Sequence, residues 1–263
     1  MIRQAIYAGT WYPVEKKEIE RYLDLKAEKS DAICCICPHA GWLYSGKIAG
    51  MVYSRIASCE SYVLIGPNHT GHGVESSVFN SGSWQMLAGE VEIDETLANN
   101  ILQNSEFLQP DTKAHINEHS LEVQLPFIQY FNPHAKIVPI ILRTGYIEVC
   151  KDIGRAIYTA IKGSAKKVLI VASTDMTHYE PHNLAKEKDK LAIDEILALN
   201  ADGVFGTVQK YGISMCGYVP VTVAIIAARG LSATSCKLIK YATSGDVSGD
   251  YDAVVGYAGF IIK

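Results

Sequence analysis

The sequence predicts an α/β fold, a single three-layer α/β/α domain with a mainly parallel central sheet and an edge hairpin. Short, nearly continuous apolar runs recur along the chain, as in central strands that helices cover on both faces. Longer segments with helical periodicity alternate with these runs, and that alternation is typical of a mainly parallel sheet. No linker rich in proline, glycine or serine divides the chain, so residues 1–263 are expected to form one domain.

The individual elements follow from local patterns. Apolar runs predict strands at 32–37, 62–66, 137–142, 167–173, 237–243 and 253–262. Segment 84–93 alternates polar and apolar residues, which predicts the edge hairpin. Helical periodicity predicts helices at 15–25, 46–57, 94–104, 146–161, 184–200 and 219–228.

Charge and hydropathy narrow the class of protein. The formal net charge of −4 gives no electrostatic reason to expect nucleic acid or an anionic membrane as a partner. No stretch approaches the roughly 20 apolar residues of a membrane-spanning helix. The first residues also lack the basic-then-apolar pattern of a secretory signal. We therefore expect a cytoplasmic globular protein.

The cysteines are expected to be reduced, and most of them structural. The chain has 7 of them, unevenly spaced and without a paired C-x-x-C motif. On a strand, Cys35 and Cys37 share one face and Cys34 takes the other, which suits buried small side chains better than a zinc chelate. Cys216 is the exception, because a tight glycine-containing loop places it just before a predicted helix. The positive end of that helix is expected to lower its pKa and favour the thiolate.

Three histidines follow three predicted central strands. His39 comes after the first strand, His69 after the second, and His178 after the fourth, close to Asp175. Ligands of open α/β sheets bind beyond the carboxyl ends of the strands. If these strands are parallel, the three imidazoles meet at one rim of the sheet. A single histidine after a strand is most simply a capping or loop residue, whereas three together favour a shared site.

Two further clusters have simpler explanations as well as functional ones. His115, Glu118 and His119 match the H-x-x-E-H pattern of inverted zinc peptidases, but no apolar helical pattern precedes them. We predict that His119 lines the cleft beyond the carboxyl ends of the strands as a polar wall residue, and we name it as a candidate catalytic residue.

Segment 243–251 is rich in glycine, serine and aspartate, which is typical of turns. Alternatively, its carboxylates orient the histidines of the site.

Several of these motifs together resemble the Memo family. The matching segments are GTWYP at 9–13, PHAG at 38–41, YSG at 44–46, GPNH at 66–69, EHSLEVQLPF at 118–127, CG at 216–217 and the loop at 243–251. They occur in order along nearly the whole chain, and the string at 118–127 is specific. The chain resembles the prokaryotic members, which are also called AmmeMemoRadiSam system protein B.

The resemblance implies a fold similar to that of class III extradiol (LigB-like) dioxygenases, which are non-haem iron(II) enzymes. It also implies a metal site of two histidines and one cysteine, which fall here on His39, His69 and Cys216. His178, with Asp175, matches the position of the acid/base histidine. The dioxygenases use a carboxylate as third ligand. The thiolate departs from that set and favours redox chemistry of the metal or of the sulfur.

Two functions remain open at this point. The first is a metal-dependent redox enzyme of unknown substrate with iron(II) or copper, zinc being a further metal that these ligands accept. The second is a non-catalytic binding module that uses the same cleft for a peptide or small ligand, lined by aromatic residues such as Trp11 and Trp42. The resemblance further implies a pathway link to a radical S-adenosylmethionine protein.

Overall fold

The chain forms two β-sheets. The computed structural model describes residues 1–263. In chain order the strands are β1 (Ile2–Gln4), β2 (Cys34–Cys37), β3 (Ser61–Pro67), β4 (Ser76–Val78), β5 (Ser83–Met86), β6 (Gly89–Glu92), β7 (Gln109–Pro110), β8 (Lys136–Leu142), β9 (Val168–Ser173), β10 (His178–Glu180), β11 (Cys236–Thr243) and β12 (Val254–Ile262). The larger sheet has nine strands in the order β10-β12-β2-β9-β3-β8-β4-β7, with β11 also paired to β12.

The four central strands of the larger sheet are parallel. β2 pairs with β9, β9 with β3, and β3 with β8, all in the same direction. Nearly every residue of these strands is buried, as their apolar runs predict. Because the strands are parallel, their carboxyl ends lie at one rim of the sheet. The mainly parallel central sheet predicted from the sequence is therefore confirmed, within a sheet that also contains antiparallel pairs at its edges.

Helices flank this sheet. They are α1 (Lys16–Glu20), α2 (Trp42–Tyr53), α3 (Glu95–Gln103), α4 (Lys113–Ile116), α5 (Leu125–Phe131), α6 (Ile147–Lys162), α7 (His182–Leu197), α8 (Ala201–Tyr211), α9 (Tyr218–Gly230) and α10 (Gly245–Ser248). Helix α9 packs on β2, β3 and β9, while α2 packs on β2, β11 and β12. None of the helices combines the length and the apolar character needed to cross a bilayer.

The hairpin predicted at 84–93 is present as β5 and β6, but it belongs to a separate sheet. β5 pairs in parallel with β1, so that the hairpin and the N-terminal strand form a sheet of three strands. A single bridge between Ile93 and Ile137 links its end to the larger sheet. The sequence pattern therefore identified the hairpin, whereas its partner is a distant segment of the chain.

A buried ion pair fixes the N-terminal segment. Arg3 Nη1 lies 2.8 Å from Glu122 Oε2, and both side chains are almost fully buried. Glu122 also accepts the backbone N–H groups of Ile6 and Tyr7 and the hydroxyl of Tyr12. Arg3 donates to the carbonyl of Glu118 at 2.9 Å. The first residues of the chain are thus held against the segment that supplies Glu118 to the rim.

Candidate metal centre

The carboxyl ends of the central strands bring the predicted histidines together. His39 follows β2, His69 follows β3, and His178 begins β10 shortly after β9. The rings of His39 and His69 lie 5.1 Å apart, centre to centre, and His178 lines the same cleft. The shared rim arises because β2, β9 and β3 are adjacent and parallel.

Cys216 reaches this rim from the loop before α9. Its Sγ lies 3.2 Å from His39 Nε2. A Cβ atom at position 217 would stand 2.4 Å from the carbonyl oxygen of Ser173, so the close approach of this loop to the end of β9 requires Gly217. The possible ligand atoms of His39, His69 and Cys216 all lie within 4.8 Å of one another.

These residues fit a metal ion. The Nδ1 of His39 lies 2.9 Å from the hydroxyl of Ser173, and the Nδ1 of His69 lies 2.8 Å from Glu118 Oε1, so each ring keeps Nε2 for a ligand. Metal–nitrogen and metal–sulfur bonds of about 2.1 and 2.3 Å put tetrahedral N and S ligands roughly 3.5 Å apart. The distance between Cys216 Sγ and His39 Nε2 is close to that separation. Two imidazoles and a thiol are ligands that zinc, copper and iron accept.

His39 and Cys216 are held in their uncharged forms before a metal binds. Burial, with the neighbouring His69, holds the pKa of His39 well below its usual range, so this imidazole stays neutral and free to bind a metal. Burial and the Asp175 carboxylate raise the pKa of the Cys216 thiol. The sequence expectation that the helix lowers this pKa is therefore wrong, because burial of the sulfur outweighs the helix end. A metal ion bound to the sulfur would remove its proton.

His119 and Glu118 border the same centre. The ring of His119 stacks on His69 with the centres 4.5 Å apart and lies 4.4 Å from the ring of Trp11. Burial and the nearby His39 lower the pKa of His119 to about 3. Glu118, His69 and His119 form a second group whose ligand atoms lie within 4.8 Å of one another. Sequence reasoning considered Glu118 only as a peptidase base and missed its contact with His69.

The peptidase pattern does not assemble a site of its own. His115 belongs to neither group of possible metal ligands. Its side chain is fully buried, and its Nε2 lies 2.7 Å from the hydroxyl of Ser77. Helix α4 ends at Ile116, so His115 and His119 do not share one helix face.

A bulge aims His178 into the cleft. The pairing of β10 with β12 shifts register between His178 and Glu180, and Tyr179 between them has a left-handed backbone with φ of 58°. Ser214 holds the bulge: its hydroxyl accepts the His178 backbone N–H at 2.7 Å, and its carbonyl lies 2.8 Å from His178 Nδ1. That carbonyl can only accept, so Nδ1 donates and Nε2 carries the lone pair.

Asp175 organises the backbone around the site. Its Oδ1 accepts the backbone N–H of His39 at 2.8 Å and that of Ala40 at 3.3 Å. Its own backbone N–H points to the sulfur of Cys216 at 3.3 Å. Burial raises the pKa of this carboxyl. The ring of His178 is hydrogen-bonded to the Ser214 carbonyl, whereas the Asp175 carboxylate bonds to the backbone of His39 and Ala40.

Segment 243–251 forms one side of the cleft. It contains α10, and the carboxylate of Asp246 accepts the backbone N–H of Thr243, while that of Asp250 accepts the backbone N–H of Asp252. These carboxylates cap their own loop, as the turn interpretation predicts. The orienting contacts to the metal-site histidines come instead from Glu118 and Ser173.

The resulting cleft has a volume of about 590 Å³. That volume is in the range of small-molecule sites. Its lining residues are Trp11, His39, Ala40, Gly41, Tyr44, His69, His119, Asp175, His178, Tyr179, Ser244, Ser248, Asp250, Ala253, Val255 and Tyr257. The predicted site residues thus open onto one cleft, with Cys216 in contact with His39 beside it.

Comparisons with known proteins agree with the motifs. A family model described as Memo-like protein matches residues 3–261. A MEMO1 family protein of Aquifex aeolicus is 42% identical over 99% of this chain and 98% of its own length. One from Methanopyrus kandleri is 36% identical over 100% of this chain and 99% of its own. An uncharacterized protein from Escherichia coli K12, of known structure, shares the fold with a TM-score of 0.57 at 10% identity, over 87% of this chain and 98% of that one. The chain belongs to the Memo family.

Proposed function

We propose that this chain is a metal-dependent redox enzyme that binds iron(II) or copper through His39, His69 and Cys216. The proposal rests chiefly on the convergence of two imidazole nitrogens and one sulfur within 4.8 Å at the inner end of a cleft. Nitrogen and sulfur ligands suit these metals and do not suit magnesium or calcium. The bound metal would supply electron-transfer chemistry at this point of the cleft.

The side chains around the centre have distinct tasks in this proposal. Glu118 and Ser173 hold the rings of His69 and His39, so that both present Nε2. His178, whose Nδ1 is bound to the Ser214 carbonyl, accepts a proton from the substrate at Nε2. Asp175 fixes the backbone of His39. His119 and Trp11 pack together as a wall of the cleft.

Metal content tests the ligand set. Protein purified without a histidine tag is analysed for metals, as wild type, His39→Ala and Cys216→Ala. Cys236→Ala is the matched control, since this half-buried thiol lies outside the cleft. We expect near-stoichiometric iron or copper in wild type and control, and loss from both site variants. Wild-type protein that takes up neither iron(II) nor copper without oxygen would refute the proposal.

Redox activity tests the enzyme function separately. Metal-loaded protein is supplied with reductant and candidate substrates while oxygen consumption is recorded. We expect turnover that both His39→Ala and Cys216→Ala abolish and Cys236→Ala retains. Protein that holds metal but consumes no oxygen and turns over no substrate would leave the cleft as a binding module.

A further inference from the structure

Aromatic side chains surround the cleft beyond the metal ligands. Trp11 covers His119, while Tyr44, Tyr179 and Tyr257 line the remaining walls. Tyr179 is 77% exposed, and the left-handed backbone at this residue holds it at the cleft. A non-glycine residue in that conformation carries a strain that is commonly found at functional sites. The electron-rich faces of such rings attract organic cations.

The charged side chains that line the cleft are acidic. Asp175 lies at the inner end, and Asp250 contributes a second carboxylate from the loop between β11 and β12. No lysine or arginine is among the lining residues. An anionic group of a ligand would therefore meet carboxylates and ring faces, with no lysine or arginine of the cleft to pair with.

The carboxylate of Asp250 can bind an organic cation. Its Oδ1 accepts the backbone N–H of Asp252 at 3.0 Å, which fixes the carboxylate within the turn. A carboxylate offers about four acceptor positions, so most of them remain for a ligand. Ser244 and Ser248 stand on the same side of the cleft and add hydroxyl groups that donate and accept.

We propose that the cleft takes an organic ammonium compound with a flat apolar body, its cation held by Asp250 and the tyrosine rings. The proposal deepens the function given above, because it names the substrate class of the same cleft. The apolar body of the ligand packs between Trp11 and the tyrosines. Its uncharged end then extends towards His178 and the metal ligands.

Three probes of one shape test the charge preference. They are 2-phenylethylamine, 2-phenylethanol and phenylacetate, which share the ring and differ in carrying a cation, a neutral group and an anion. Binding is measured at pH 7 by calorimetry and by tryptophan fluorescence, to which Trp11 contributes from the cleft, with protein as purified and after metal removal by a chelator. We expect the amine to bind about tenfold more tightly than the alcohol, and phenylacetate to bind most weakly to metal-free protein.

Asp250→Asn identifies the carboxylate. The amide keeps an oxygen for the Asp252 N–H, so the turn is retained while the charge is removed. We expect the affinity for the amine to fall about threefold and that for the alcohol to stay unchanged. Asp252→Asn is the matched control, because it removes a charge from the same loop outside the cleft lining. This control should bind all probes as wild type does.

Equal binding of amine and alcohol, or preferred binding of phenylacetate by metal-free protein, would overturn the proposal. So would an amine preference that persists undiminished in Asp250→Asn. The readout is binding to the metal-free cleft as well as to protein as purified. Failure here is therefore distinct from failure of the metal analysis, which depends on His39 and Cys216.

Discussion

Glu118 holds His69 with both of its carboxylate oxygens. Oε1 lies 2.8 Å from the ring Nδ1, and Oε2 accepts the backbone N–H of the same residue at 2.7 Å. Burial alone would raise the pKa of Glu118, but its hydrogen bond with His69, the nearby His119 and the backbone N–H of Ser120 outweigh burial and lower this pKa to about 2. The carboxylate is therefore ionised at neutral pH. It keeps the proton of His69 on Nδ1 and directs Nε2 at the metal site.

Glu118→Gln should weaken metal binding without abolishing it. The amide keeps the shape of the side chain but loses the charge that makes the ring of His69 a stronger ligand. Loss of such an orienting group commonly costs about 10–100-fold in metal affinity. Competition with a chromogenic chelator measures the affinity. An unchanged affinity in a folded variant would mean that Glu118 only supports the loop.

His178→Asn should separate metal binding from turnover. The side chain of His178 is outside the ligand set, so metal content should match wild type. Turnover should fall by about 10²–10⁴-fold, the usual contribution of a general acid or base. Elemental analysis and oxygen consumption on the same preparation provide both readouts. Loss of the metal together with activity would assign His178 to the metal site instead.

Arg3→Met should strongly destabilise the fold. The change leaves Glu122 buried without its cation and removes the donors to the carbonyls of His115 and Glu118. Removing one partner of a buried ion pair typically costs about 3–5 kcal/mol of the free energy of unfolding. Urea unfolding measures it. Lys190→Met is the control, because its pair with Asp194 is exposed, and little change is expected there. Equal stabilities for the two variants would contradict a central role for Arg3.

His115 should make stability depend on pH. Burial, together with the charge of Arg3, lowers the pKa of His115 to about 3 in the folded protein. In the unfolded chain a histidine titrates near about 6.5. The unfolded state therefore takes up the proton first as pH falls, so the free energy of unfolding decreases between these two values. The slope is at most about 1.4 kcal/mol per pH unit for one such histidine.

His115→Gln should reduce this dependence by the contribution of one histidine. The variant loses the titrating group while its amide can still pair with Ser77, so the slope between pH 6.5 and 4.5 is compared by urea unfolding at each pH. His134→Gln, which removes an exposed histidine, serves as control. A slope as steep as in wild type would show that His115 accepts a proton in the folded protein.

Much of the fold follows from local patterns in the sequence. The apolar runs placed the central strands to within two residues, because a strand covered on both faces must be apolar throughout. Helix α8 and the short strands β1, β4, β7 and β10 were not predicted. The short strands contain too few residues for a periodic pattern, and their pairing depends on distant segments. The partnership of β1 with the hairpin is of this kind.

For the site, the sequence determined which residues were available, and the tertiary structure decided how they act. Position after a strand identified His39, His69 and His178, since the direction of neighbouring strands sets the rim on which their ends lie. The contact between Glu118 and His69, the bond of Ser214 to His178 and the raised pKa of Cys216 depended on packing. Burial and hydrogen-bond geometry arise between segments far apart in the chain, so no local sequence pattern contains them.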